Sequence, residues 1–545
     1  MNLLQLSVLL KRRATVIAFL LVVAASVRVA STWTVFNHTV DEPAHISCGM
    51  QFLSEGVYRY EHQHPPLTRV MVALGPYLLG ERTPGDADMN YNGLHILHRS
   101  GRYDTVLALA RAGNLPFFWL ASWMAFLWGR RIYGAEGAVL SVFVFTALPI
   151  VLAHAGLATT DMGATAFLSA ALFCFFQTIE KPTWRNGILF GLSFAGMALS
   201  KFSDLAYFAA ALGSALVVWL WLNRPRPGQL LAAGQRLALP VALSIPIAFF
   251  AVWAGYRFSF GQSVWFSGPV PFPELFSGIE QVRQHNAAGQ LTYLLGKLSM
   301  EGSWAYFPIL IAIKTPIAML ICVAAALGIQ APKPSESGTP AWPAWLPWVV
   351  CGSALLVAMS GNINIGLRHL LPAYVLLSVI ASGGLLALLA GAPARRWALP
   401  AFALLCFWLT ATSAAAHPDY LAYFNAFAGE SPENIVVDSD LDWGQDMKRL
   451  GARMRELGAP SLTFTNFLLA DLDAFGFPPR QANDPRGPSP GWNAVSLTNL
   501  KLFRLGWLMK NPELKPWPEL VRPTERVGQS ILLYYFPEPA AAPPR

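Results

Sequence analysis

Charge is what this sequence has least of: Asp, Glu, Lys and Arg make up 13% of its 545 residues, where a soluble domain carries about 25%. The deficit is concentrated in long apolar runs. With 54% hydrophobic residues and a mean hydropathy of +0.41, it argues against a water-soluble protein and for a membrane chain. Cysteine is scarce too. Cys48, Cys174, Cys322, Cys351 and Cys406 form no CxxC or other metal-ligand spacing, and four of them fall inside or at the edge of apolar runs. Neither a disulfide framework nor a cysteine-type zinc site is expected. The net charge of +8 would suit a nucleic-acid binder, but many basic residues sit in short clusters between apolar runs, where the positive-inside rule puts them. No nucleic-acid partner is expected. The sequence also shows no P-loop, no nucleotide-sugar loop, no internal repeat and no low-complexity segment beyond its Pro/Ala end.

What is present is a series of spans. A crossing takes about 20 apolar residues. Eleven candidates are found near 14–36, 105–128, 136–156, 161–179, 186–200, 203–222, 236–256, 303–329, 345–361, 369–391 and 397–415. The first follows Lys11-Arg12-Arg13 and is near full spanning length, so it reads as an uncleaved span rather than a signal peptide. Arg28 inside it must face protein or snorkel. With Lys11-Arg12-Arg13 in the cytoplasm, alternation puts Arg130-Arg131, Lys181 with Arg185, Arg224 with Arg226, Lys333 and Arg395-Arg396 on the same side. Every cytoplasmic connection is then basic.

Three large segments remain outside: 37–104, 257–302 and 416–545. In the first, 44–53 and 67–79 are amphipathic and are expected to lie along the interface as helices. The tail alternates strand (435–437), helix (445–457), strand (461–467), a Pro/Gly-rich loop (476–492) and a strand at 530–536, which predicts a small α/β domain.

The sharpest local signal follows the first span: Asp41-Glu42, then His45, then His64-Pro65-Pro66-Leu67-Thr68-Arg69. Ionised carboxylates are costly beside lipid, so an adjacent pair implies a polar cavity or a cationic partner. Such a pair suits general-base chemistry. Asp41 as a simple helix cap is the competing reading, and the residues alone leave both open.

This order of a span, Asp-Glu, His and His-Pro-Pro-Leu with a basic residue after it resembles the protein O-mannosyltransferases and their bacterial relatives of the aminoarabinose transferase type, which are GT-C membrane glycosyltransferases. Thr159-Thr160-Asp161, Leu199-Ser200-Lys201 and Gly366-Leu367-Arg368-His369-Leu370-Leu371-Pro372 extend the resemblance at three outer span ends. In the tail, Asp438-Ser439-Asp440-Leu441-Asp442-Trp443-Gly444-Gln445-Asp446 resembles a segment of bacterial members. The resemblance implies roles. Asp41 matches the catalytic base, with Glu42 beside it and Asp161 as a second acid facing the same cavity. His45 and His64 match supporting groups, and Arg69 matches a basic residue that is usually Lys. The sequence departs from the mannosyltransferase pattern at His62, where an Asp often stands; Glu61 is its neighbour.

Lys201, Arg257 and Arg368-His369 lie at outer span ends, against the positive-inside pattern. A polyprenyl-phosphate donor supplies a reason, because cations must hold its phosphate at the interface while the tail stays in lipid. Snorkelling, or pairing with Asp41, Glu42 or Asp161, would explain any one of them. Lys314 inside the eighth candidate reads equally as a cavity or phosphate residue and as a snorkelling or paired lysine. Trp443 among its aspartates could meet sugar or belong to a charged turn. The Asp438-x-Asp440-x-Asp442 spacing lacks the glycine and closing glutamate of a calcium loop.

The fold expected is an α-helical polytopic membrane protein of about eleven transmembrane helices. Residues 1–415 would form a GT-C catalytic domain with a large first outer loop, and 416–545 an outer α/β domain. The function expected is inverting transfer of a sugar from a polyprenyl-phosphate donor to a hydroxyl of a protein, lipid or glycan, at the outer face of a bacterial inner membrane. A transporter of lipid-linked saccharide is the alternative. It is disfavoured because the charges gather at one face rather than at the midplane. No cofactor is specified, and a divalent cation is the one left open.

Overall fold

The computed structural model describes residues 3–85, 87–328, 342–391, 396–484, 486–503 and 515–537. Lys333 and Arg395, expected in cytoplasmic connections, lie outside the described residues, as does the Pro/Ala end.

Six described helices are long and apolar enough to cross a membrane, and two bent pairs bring the number to as many as eight. This is a multi-span membrane protein. Helix Leu371–Gly391 stands at the centre, packed against Leu115–Ala147, Asp161–Glu180, Ile317–Ala326, Trp345–Met359 and Ala398–Ala415. Ser203–Asn223 and Pro227–Gly255 lie at the rim, with Val217, Trp221, Ile245 and Phe250 exposed as a lipid-facing surface requires. Arg28 faces protein: its Nη2 donates to the carbonyl and hydroxyl of Ser413 at 2.7 and 2.9 Å.

Two breaks decide where the chain turns. Within Leu115–Ala147 the backbone leaves helical geometry at Gly134 (φ 78°, ψ −163°), a region open to glycine but not to other residues. A Cβ on Gly129 would meet the Ser141 hydroxyl at 2.4 Å and the Gly137 carbonyl at 2.6 Å, so the chain doubles back there. The apparent long helix is two antiparallel arms, which matches the sequence gap between 128 and 136. The candidate at 303–329 is instead bent by 110° between Tyr306–Lys314 and Ile317–Ala326. Pro316 forces the preceding Thr315 out of helical geometry (ψ 132°). One span was expected there, and a helix pair broken at Pro316 is found.

Connections expected on one side do meet at one end. Arg131 pairs with Glu180, and Trp342 donates to Glu180 at 2.9 Å and to the Arg131 carbonyl at 3.3 Å. At the opposite end, helices Glu42–Glu55 and Pro66–Leu78 form where amphipathic stretches were expected. They pack with Met89–His98 and Tyr103–Ala112 around Ile46, Met50, Val72, Ile96 and Leu107.

The strands, in chain order, are β1 (Phe260–Gln262), β2 (Pro269–Pro271), β3 (Thr292–Leu294), β4 (Lys297–Ser299), β5 (Leu462–Phe464), β6 (Arg480–Gln481), β7 (Gly491–Ser496), β8 (Glu525–Val527) and β9 (Ile531–Phe536). The first four make two small hairpins, and the tail sheet has the order β6-β5-β7-β9-β8. β5 runs parallel to β6 and β7, whereas β7 and β8 are antiparallel to β9. Helix Met447–Glu456 lays Met447, Leu450 and Met454 on Leu462, Phe464 and Leu533. The strand expected at 435–437 is absent. Residues 432–434 and 438–440 form single helical turns, because this segment is drawn into the membrane end of the protein rather than into the sheet.

Candidate active site

At that end lies a cavity of about 800 Å³, lined in part by Asp41, His45, His64, Asp161, Lys201, Arg368 and Trp443. Its parts come from every large segment of the chain. Asp41 stands at the N-cap of Glu42–Glu55 but makes no side-chain cap. Its Oδ2 instead accepts from Arg368 Nη1 at 2.8 Å. The cap reading therefore falls, and the cationic partner that the sequence required is Arg368. The same guanidinium lies 3.9 Å from Asp161 Oδ2 and 4.2 Å above the Trp443 ring, a cation–π contact that fixes its plane.

Asp161 opens helix Asp161–Glu180, where the helix dipole favours a carboxylate. Its Oδ1 accepts from Lys201 Nζ at 2.6 Å and its Oδ2 from Thr159 Oγ1 at 3.2 Å. Lys201 and Arg368 are thus brought together, each held by an acid. His369 lines the same cavity, half-buried, and its buried Nε2 has no hydrogen-bond partner among the described residues.

Arg69 is wrapped by its own loop. It donates to His45 Nδ1 at 3.1 Å, to Tyr58 Oη at 2.9 Å and to the Glu61 carbonyl at 3.1 Å, and it pairs with the Glu61 carboxylate. His64 Nδ1 lies 3.1 Å from Glu61 Oε2. Burial, with Arg69 beside it, keeps the His45 imidazole neutral, well below its ordinary pKa. Glu61 is held low against burial by Arg69 and His64. Glu61 is therefore the acid that organises the His-Pro-Pro loop where the usual aspartate position is His62.

Two expected residues are not brought to the cavity. Glu42 is fully buried and bidentate with Arg111 (Nε–Oε1 2.8 Å, Nη2–Oε2 2.9 Å). It also accepts from the amides of Thr39 and Ala158 at 2.8 and 2.9 Å. Burial would raise its pKa, but Arg111 and these amides hold it down. Its oxygens are taken up by Arg111 and these amides rather than turned to the chamber. Arg257 lies with its guanidinium 4.6 Å over the Phe52 ring and does not line the cavity. Lys314 takes the second of its two readings, a lysine held by protein. Its Nζ donates to the carbonyls of Leu421 and Asp440 at 2.6 Å each, so it clamps the tail rather than a phosphate.

Sequence reasoning missed Arg111, although the rule applied to Arg28 would have found it: a charge in the run 105–128 needs a protein partner. No group of three or more metal-ligating side chains is gathered among the described residues, and Asp41 and Asp161 at the chamber already hold cationic side chains.

The tail seats against Gly366, which has φ 121°. A Cβ there would meet Ser439 Oγ at 2.2 Å. Gly366→Ala is expected to destabilise by about 1–3 kcal/mol and to loosen the Trp443–Arg368 contact. Thermal unfolding in detergent would show this, and an unchanged melting temperature would count against a tightly seated tail.

The family model described as dolichyl-phosphate-mannose-protein mannosyltransferase matches residues 114–243. No curated protein sequence matches the chain. Among solved structures, ArnT from Cupriavidus metallidurans bound to undecaprenyl phosphate aligns with a TM-score of 0.50 at 14% identity, over 94% of this chain and 97% of that one. Its apo state aligns with the same score and identity, over 95% and 98%. The mycobacterial arabinofuranosyltransferase AftD aligns at 0.38 and 14%, over 88% of this chain and 35% of that one. The chain thus resembles the GT-C glycosyltransferases in sequence over one segment and in fold over nearly its whole length.

Proposed function

We propose that this protein is an inverting glycosyltransferase that moves a sugar from a polyprenyl-phosphate donor to a hydroxyl of a protein, lipid or glycan. The observation that carries the reading is the chamber at one end of the apolar helices, where Asp41 and Asp161 hold Arg368 and Lys201. A phosphate entering from the lipid side meets two cations already gathered, and replacing carboxylate partners by phosphate oxygens keeps them paired. Asp41, freed from Arg368, takes the hydroxyl proton as the oxygen attacks the anomeric carbon. The leaving phosphate is stabilised by the same Arg368 and Lys201. ArnT, bound to undecaprenyl phosphate, supports the donor class through its shared fold. Arg69 supports the loop that shapes the chamber, and Arg257, outside it, is left for the donor's approach.

The same reading places the chamber on the outer, periplasmic side of a bacterial inner membrane. It takes residues 1–415 as the catalytic membrane domain with about eleven crossings, and 416–545 as an α/β unit on the catalytic side. The reversal at Gly134 supports counting two crossings where length alone gives one. The test is release of polyprenyl phosphate from synthetic polyprenyl-phosphate sugars by purified protein. Native protein that binds several donors and turns over none would defeat the proposal and favour transport.

A further inference from the structure

Four acids crowd the tail segment 438–446, and three of them are spoken for. Asp440 accepts from the Leu367 amide at 3.1 Å and lies 3.5 Å from Tyr306 Oη. Asp442 accepts from Ser496 Oγ at 2.5 Å and the Thr498 amide at 2.9 Å. Asp446 accepts from Ser530 Oγ at 2.7 Å, the Gln529 amide at 3.1 Å and Arg449 at 3.2 Å. These three build the turn.

Asp438 is different. It lines the chamber beside Asp41, Arg368 and Trp443. Its carboxylate accepts from the Ser439 amide, but among the described residues no other side chain donates a hydrogen bond to it. Its backbone is left-handed, with φ 62°. Asp tolerates that region better than most residues, yet at some cost. The conformation is held from both sides: its amide donates to Thr498 Oγ1 at 2.9 Å, Ser439 Oγ donates to the Ile365 carbonyl, and Lys314 grips the Asp440 carbonyl at 2.6 Å. A strained residue fixed so that its acid points into a cavity is a functional signal.

The charged and titratable groups facing it are Arg368, Asp41, Asp440 and Tyr306. Burial pushes its carboxyl up to about 7, Arg368 pulls it down, and Asp41 and Asp440 push it up again. Two neighbouring acids in unlike environments, one clasped by arginine and one not, are how proteins divide proton work.

Building on the transfer proposed above, we propose that Asp438 is a second catalytic carboxylate, which shares with Asp41 the proton taken from the acceptor hydroxyl. The O–H bond breaks and its proton goes to the carboxylate pair. The hydroxyl oxygen forms the new bond to the anomeric carbon. The old bond to phosphate breaks, its electron pair leaving on polyprenyl phosphate, and the proton passes to water after product departs. The tail is then part of the catalytic machinery and not an appended domain.

The test is the pH profile of kcat/KM for donor turnover in native protein, Asp438→Asn and Asp438→Glu. Asparagine keeps the left-handed backbone and the size. Because the base must be ionised, the native rate should rise as pH passes about 7. Asp438→Asn should lose roughly 10²-fold at alkaline pH and lose that inflection, with donor KM nearly unchanged. Asp438→Glu should recover the inflection and part of the rate. An Asp438→Asn variant that keeps the native inflection, whatever its rate, would overturn the proposal. Native protein silent toward every donor would sink the transfer reading, and this inference with it.

Discussion

Replacing Asp41 by Asn should abolish measurable release of polyprenyl phosphate, a loss of about 10³-fold or more, in a protein that still folds and still binds donor. Two effects add. The acceptor hydroxyl loses its base, and Arg368 loses the partner that aims it, since the 2.8 Å bond to Asp41 is the shortest this guanidinium makes among the described residues. Folding should survive because Asp41 is partly open to the cavity, its side chain 33% exposed, and because Trp443 still stacks on the arginine. Arg368→Lys separates the two roles. It keeps the charge but removes the planar fork that meets an acid and an indole at once, so donor KM should rise along with the fall in kcat. Asp41→Asn within about tenfold of native kcat/KM would show that another group is the base.

Why Asp41 and Glu42 part company is a matter of helix geometry. Adjacent residues at a helix start point about 100° apart, so a pair that reads as one motif must serve two environments. Asp41 turns to the chamber and Glu42 turns inward to Arg111. Sequence adjacency located the site but could not divide the labour. The apolar pattern was informative where the backbone obeyed it, and it kept 105–128 and 136–156 apart although helical geometry nearly joins them. It did not record the break at Pro316, whose effect on Thr315 bends the chain by 110° and brings Lys314 to the tail. The tail itself was the least legible. Its contacts with the membrane part join residues hundreds of positions apart: Asn37 Nδ2 donates to the Gly444 carbonyl at 2.7 Å, and Val40 to the Trp443 carbonyl at 3.2 Å. No local period records such contacts. The acids of 438–446 read as a charged turn, and three of them, buried, do build one; only the three-dimensional setting singles out Asp438.

The Glu42–Arg111 pair carries the largest stability effect expected of any single site. Arg111→Met should cost about 3–5 kcal/mol, because it leaves an ionised glutamate buried without its partner. Arg111 also donates to the carbonyls of Trp33 and Asn37 at 3.0 and 2.8 Å, so it ties the end of the first span to the helix that carries Asp41. The pH dependence follows from the direction of the shift. Glu42 titrates lower in the folded protein than in the unfolded chain. The stability its charge provides is therefore present above the ordinary glutamate pKa and is lost as pH falls through the folded value. The deficit of Arg111→Met should be greatest near neutrality and narrow toward acid, as detergent melting curves across pH would show. Adding Glu42→Gln to Arg111→Met removes the stranded charge while keeping an oxygen for the amide of Thr39 or Ala158, and should recover part of the loss. That double variant also separates structure from chemistry. If Glu42 only supports the fold, the rescued protein turns over donor at a rate set by how well Asp41 is held. A double variant that is stable but inert would return Glu42 to the catalytic set.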